Sequence, residues 1–190
     1  CPTRWGRPDK SDRGRSFFVF VGIGRGGCAG QGRLRLDEQR LADADFWLML
    51  GRNRVDAKGS LGATSDALQA TLDLPQLRSF GQGFAGSARG SVNVSGKFAD
   101  PVLEGRLDLA DLATPFGFAV GRAHLQAHLQ QGMQAPLSLQ LDAERFRQGE
   151  LLLEKLHARI DGSRGGHEAR LNLAGKAGEQ AVELQAALAG

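Results

Sequence analysis

Tyrosine is absent from this 190-residue sequence, tryptophan occurs twice and phenylalanine ten times, so aromatic rings cannot dominate an interior. Cysteine is nearly absent too. Cys1 and Cys28 are the only two, and everything after Cys28 is free of the residue. The body therefore has neither a disulfide framework nor a thiol nucleophile, which suits a periplasmic or a cytoplasmic setting equally. Long apolar runs are also missing. The longest, residues 17–23, has seven residues, against the ~20 that a membrane-spanning helix needs. Basic residues precede it as in a signal sequence, yet it is short and no cleavage pattern follows. Arg25, Gly26 and Gly27 before Cys28 make a poor lipoprotein site. An excess of one charge is lacking as well. The net +3 comes from residues 1–33, with seven basic against two acidic side chains, whereas the rest holds 17 basic and 19 acidic. A near-neutral body gives no footprint for nucleic acid.

Catalytic constellations are missing in the same way. There is no Gly-x-Ser-x-Gly elbow and no Walker lysine, and no carboxylate has a partner that singles it out as an acid or base. The stretch from Gly22 to Gly27 matches the dinucleotide fingerprint literally. That fingerprint needs a helix to follow it, whereas Gly30 and Gly32 interrupt any helix and strands come next. His124 and His128 are four apart, as helical zinc ligands are. In the register set by Leu125, Ala127 and Leu129, however, they fall on the polar face of a strand beside Gln126 and Gln130. His157 and His167 are isolated on polar strand positions or in turns. The chain reads as a non-enzyme with no cofactor and no metal.

What remains is a period of two. From Gly32 onward, apolar residues alternate with polar ones: Leu34 and Leu36, then Ala44 to Leu50, Val55 to Leu61, Leu68 to Leu74, Leu103 to Leu109, Leu125 to Leu129. Leu137 to Leu141, Leu156 to Ile160, Ala169 to Leu173 and Val182 to Leu188 continue the series. Such alternation marks half-exposed strands. Many of the 27 glycines sit in the turn signals between them: residues 51–53, 62–66, 96–101, 132–136, 162–166 and 175–178. About eleven strands with short connections predict an antiparallel meander. Residues 75–80 predict one helical turn. Leucine is frequent where local preference would favour Val, Ile and aromatics, so the strands depend on covering their apolar face. That face is either the core of a closed sandwich or barrel, or the lining of an open groove. Residues 1–31, rich in Arg and Gly, share none of this pattern and are expected to be a disordered or non-native leader to a body spanning 32–190.

The segment 74–112 carries a repeated signature: Leu74 and Leu77 in a short turn, Gly86, Gly90, Val92 and Val94 in Gly-rich strands, and Gly96 and Pro101 at a reversal. Leu103, Gly105, Leu107, Asp111 and Leu112 close it. This resembles the TamB family and its AsmA-like relatives, and residues 41–62 and 137–160 look similar. The resemblance covers 32–190 and suggests an internal or C-terminal-region fragment, without the membrane anchor of such chains. It implies an elongated all-β antiparallel meander rolled into a taco-like open groove, the periplasmic portion of an inner-membrane-anchored protein. The implied partners are a TamA-like outer-membrane barrel, phospholipid acyl chains and nascent outer-membrane proteins. The groove lining expected on this reading is Leu68, Leu72, Leu74, Leu103, Leu107, Leu109, Leu125, Leu129, Leu137, Leu139, Leu141, Leu171, Leu173, Val182 and Leu184.

Overall fold

Side chains along an extended backbone point alternately to opposite faces, so a chain alternating leucine with charge is stable only as strands sharing one apolar face. The computed structural model describes residues 27–37 and 40–190, together with the backbone of 3–5 and 15–21. Its strands are β1 (Thr3–Trp5), β2 (Arg15–Val21), β3 (Cys28–Asp37), β4 (Arg40–Leu50), β5 (Asn53–Leu61), β6 (Ala67–Leu74) and β7 (Ala85–Lys97). They continue as β8 (Asp100–Ala113), β9 (Phe118–Leu129), β10 (Pro136–Gln148), β11 (Leu151–Ser163), β12 (Gly166–Ala177) and β13 (Gln180–Ala189). All belong to one sheet in strict chain order, every neighbouring pair antiparallel.

The expected eleven-strand meander corresponds to β3–β13. The closed sandwich or barrel does not form, because β1 and β13 are separate edges of a single sheet. The predicted helical turn is a 3-10 turn at Leu77–Phe80. Two turns are tighter than the glycines suggested: Gly96 pairs with Pro101 and Gly162 with His167, leaving two-residue reversals at 98–99 and 164–165. The first strand of the body starts at Cys28, four residues ahead of Gly32, and backbone pairing carries β2 and β1 beyond it. Residues 1–2, 6–14 and 22–26, the rest of the expected leader and most of the Gly22–Gly27 fingerprint, lie outside the described residues.

A sheet that does not close on itself leaves much of its apolar face without a facing layer, and the burial reflects that. Leu61, Leu74, Leu77, Val120 and Leu153 are among the few large side chains that are buried, while Leu48 is 41% and Leu184 46% exposed. Fully burying a leucine is worth roughly 1.5–3 kcal/mol, so much of the available stabilisation stays unrealised in the chain alone.

Hairpin ends along one rim are tied laterally instead. The Arg40 guanidinium donates to both Asp66 carboxylate oxygens, Nε to Oδ2 at 2.9 Å and Nη2 to Oδ1 at 2.7 Å. The amide of Ala63 donates to the same carboxylate at 2.8 Å. The next hairpin is joined by Gly62 N–H to Gly96 O and Gly96 N–H to Asp66 O, each at 3.0 Å. Further along, Asp100 accepts from the amide of Gly132 at 3.0 Å and pairs with Arg164, whose Nη2 also donates to Pro101 O at 3.0 Å. The amide of Gly165 donates to Met133 O at 2.8 Å. The Arg40 hydrogen bond, with the Ala63 amide, holds the Asp66 carboxyl below its ordinary 3.8. The Gly132 amide, with Arg164, does the same for Asp100.

Because these carboxyls titrate lower when folded, their stabilisation is fully present above pH 3.8 and is lost as pH falls through the lower folded values. Asp66→Asn is expected to lower the melting temperature near neutral pH, with the deficit vanishing in acid. Thermal melts across that range check this, and a deficit that persists in acid contradicts it. A second expectation concerns the β7–β8 bulge, where Gly86 has φ 92° and an added Cβ would strike the backbone of Ala110 and Asp111. Gly86→Ala should cost about 1–3 kcal/mol, read from the denaturant midpoint.

Candidate apolar groove

Residues directly opposite in an antiparallel ladder share a face, so the register places every candidate lining residue. One row crosses the sheet as Leu48–Val55–Leu72–Gly90–Leu107–Leu125–Leu141–Ala158–Leu171. On one side of it runs Leu74–Ala88–Leu109–Ala123–Ala143–Leu156–Leu173–Leu184. On the other come Ala57–Ala70–Val92–Gly105–Ala127–Leu139–Ile160 and then Leu68–Val94–Leu103–Leu129–Leu137. Val182 faces Gly175 on the last pair of strands. All fifteen residues singled out from the sequence thus lie on one face.

Val55, Val92, Val94, Leu156 and Ile160 share that face, although they were read only as strand or signature residues. A depression of about 390 Å³ lies on it, with Val55, Leu72, Val92, Leu103, Leu107 and Leu125 in its walls. Its surroundings are almost wholly hydrocarbon, so it offers apolar contact without a polar anchor.

The opposite face is a charge-patterned surface. Arg89 donates to Asp73 at 2.9 Å, His124 Nδ1 lies 2.6 Å from Asp108 Oδ1, and His157 Nδ1 lies 2.5 Å from Asp142 Oδ1. Gln126 Nε2 meets His124 Nε2 at 2.8 Å, and Gln130 Nε2 meets His128 Nε2 at 3.2 Å. The two histidines are therefore engaged separately. Among the described residues no three His, Cys, Asp or Glu side chains converge as metal ligands. Trp47 also lies on this face, with the Arg54 guanidinium 5.5 Å from its ring centroid. A larger depression, about 550 Å³, is lined here by Gln69, Asn93, Glu104, Gln126, His128 and Asp161 among others. Its polar side chains are those that alternation assigns to water, and the ladder pairs them mainly with one another.

The period of two missed one element, residues 75–84, which connect β6 to β7. Leu77 in this strap is 8% exposed and packs with Leu74 and Ala88, surrounded by Val55, Leu72, Phe84, Leu107, Leu109 and Leu112. The strap thus folds over the apolar face. Asn53 at the start of β5 holds it: its Nδ2 donates to Gln76 O at 2.8 Å and its Oδ1 accepts from Gln76 N–H at 2.9 Å. Asn53 is 1% exposed. In the sequence Asn53 stood in a turn signal and within the 41–62 stretch that looks similar to the family, and Leu77 in the Leu-x-x-Leu spacing.

Among the described residues no helix is long and apolar enough to cross a membrane. No solved structure matches the chain. The family model described as "TamB, N-terminal domain" matches residues 28–190, beginning with β3 and ending with β13. The part of the family it names is the N-terminal domain, where the sequence had pointed to an internal or C-terminal region. The match runs along the strands that carry the apolar rows, and the chain belongs to the TamB family.

Proposed function

We propose that the chain is a non-enzymatic segment of a conduit that carries phospholipid acyl chains between the inner and outer membranes and supports outer-membrane protein assembly. Membership of the TamB family favours a role in that assembly or in lipid transport. The observation that carries the finer reading is the row through Leu72, Leu107, Leu125, Leu141 and Leu171, partly exposed, with no second layer over most of it. Removing an acyl CH₂ from water contributes about 0.8 kcal/mol, so a tail of ordinary length is held by hydrocarbon contact alone. Eleven strands at ~4.8 Å spacing give roughly 50 Å of groove. In this reading the segment lies in the periplasm and works with a TamA-like outer-membrane barrel.

A second reading rests on β13. Among the described residues no strand pairs with its outer edge, and Leu184 and Leu188 are 46% and 72% exposed. An extended segment of a nascent outer-membrane protein can add there by backbone hydrogen bonding.

Leu107→Asp and Leu139→Asp separate the two. Each places a carboxylate in the groove, and native mass spectrometry of the purified chain is expected to show co-purified phospholipid falling severalfold. Unchanged lipid with an intact circular dichroism spectrum sinks the conduit. Crosslinks from β13 to unfolded barrel proteins, unaffected by either substitution, then favour the client scaffold.

A further inference from the structure

We propose that residues 75–84 form a removable cover over the apolar groove, latched shut by Asn53. The strap supplies the groove with an occupant of its own. Among the described residues, the one cluster where buried apolar side chains meet is that of Leu77 with Leu74 and Ala88. Anything lying along the Leu74–Ala88–Leu109 row must displace Leu77 or pass beside it.

The attachment is slight for a segment so placed. Neighbouring strands are joined by ladders of backbone hydrogen bonds. The strap's own bonds run mostly within it: Ser79 N–H to Gln76 O at 3.1 Å, Gly81 N–H to Arg78 O at 3.2 Å and Phe84 N–H to Gly81 O at 3.4 Å. It is tied to the sheet by the two bonds between the Asn53 amide and the backbone N–H and C=O of Gln76. An amide side chain is suited to this, since it presents one donor and one acceptor, which here meet the backbone C=O and N–H of one residue. The strap leaves through Gly81 (φ 144°) and Gly83 (φ 84°), backbone that glycine adopts without a Cβ penalty. Latch at one end and glycines at the other make a flap that can lift as a unit. Its exposed tip is Phe80, 48% accessible, next to the exposed Arg78.

The purpose of the cover rests on the conduit reading, whereas its existence does not, and the test separates them. In the full chain with Cys1→Ser and Cys28→Ser, Ala88→Cys places a thiol beneath Leu77. Its maleimide labelling rate is compared in three backgrounds: otherwise unchanged, with Asn53→Ala, and with Leu77→Ser. Loss of the latch is expected to speed labelling about tenfold, the factor equivalent to ~1.4 kcal/mol and of the order expected for such a hydrogen-bonded pair. Leu77→Ser should act in the same direction with the latch intact. It decides the matter if Asn53→Ala costs the amide protection of β10–β13. Labelling that stays unchanged in a folded variant overturns the cover, as does a starting rate equal to that of a cysteine at exposed position 184. Binding of cis-parinaric acid, a fluorescent linear fatty acid, is measured alongside and should strengthen severalfold in both variants. Accelerated labelling with no parinarate bound by any chain keeps the cover and overturns the conduit. Parinarate bound equally by all three, with labelling unchanged, does the reverse.

Discussion

Everything in this fold depends on the cross-strand register of one antiparallel sheet. A slip of one residue between any two strands would send a leucine row to the charged face and the charges into the groove. Here the pairing carries Leu72, Leu107, Leu125, Leu141 and Leu171 into one line and Asp73, Arg89, Asp108, His124, Asp142 and His157 into another. The second line reinforces the first. Like charges opposite each other destabilise a ladder and opposite ones support it, so the polar face selects the register that makes the other face apolar.

A sheet with one apolar face and no second layer is left with unrealised burial, and the chain manages this in two ways. Along one rim, arginine–aspartate and amide–carboxylate ties join successive hairpins, from Arg40 and Asp66 through Gly96 to Asp100, Gly132 and Arg164. At the β6–β7 connection the strap lays Leu77 onto the groove, held by a buried asparagine. The remaining rows stay partly exposed. Their exposure leaves an apolar surface that runs continuously across the sheet.

The strand series was legible in advance because strands leave a mark of period two, and nearly every alternating run became a strand. Boundaries were less so. Gly96 and Pro101 read as a turn, yet they pair inside a hairpin whose reversal is Phe98-Ala99. Glycine and proline signal special backbone positions without saying on which side of the turn the ladder ends. The strap was legible as a helical turn at 75–80, which the 3-10 turn at Leu77–Phe80 bears out, but its docking was not. Its hold on the sheet joins Asn53 to Gln76, 23 positions apart, and a side-chain-to-peptide bond between irregular segments has no period to betray it.

Composition and alternation by themselves determined that the chain is all-β, that its strands neighbour one another in order, and which side chains share a face. Short connections permit little else, and the period of two is imposed by backbone geometry. Only the tertiary structure decided whether that face closes on itself. Closure depends on the accumulated twist and bulges between strands and on whether the first and last edges come within hydrogen-bonding distance, and no local pattern encodes that sum. The edges here are separate, the apolar rows remain an open surface, and among the described residues Leu77 covers part of it from a segment, bonded to Asn53, outside the strand pattern.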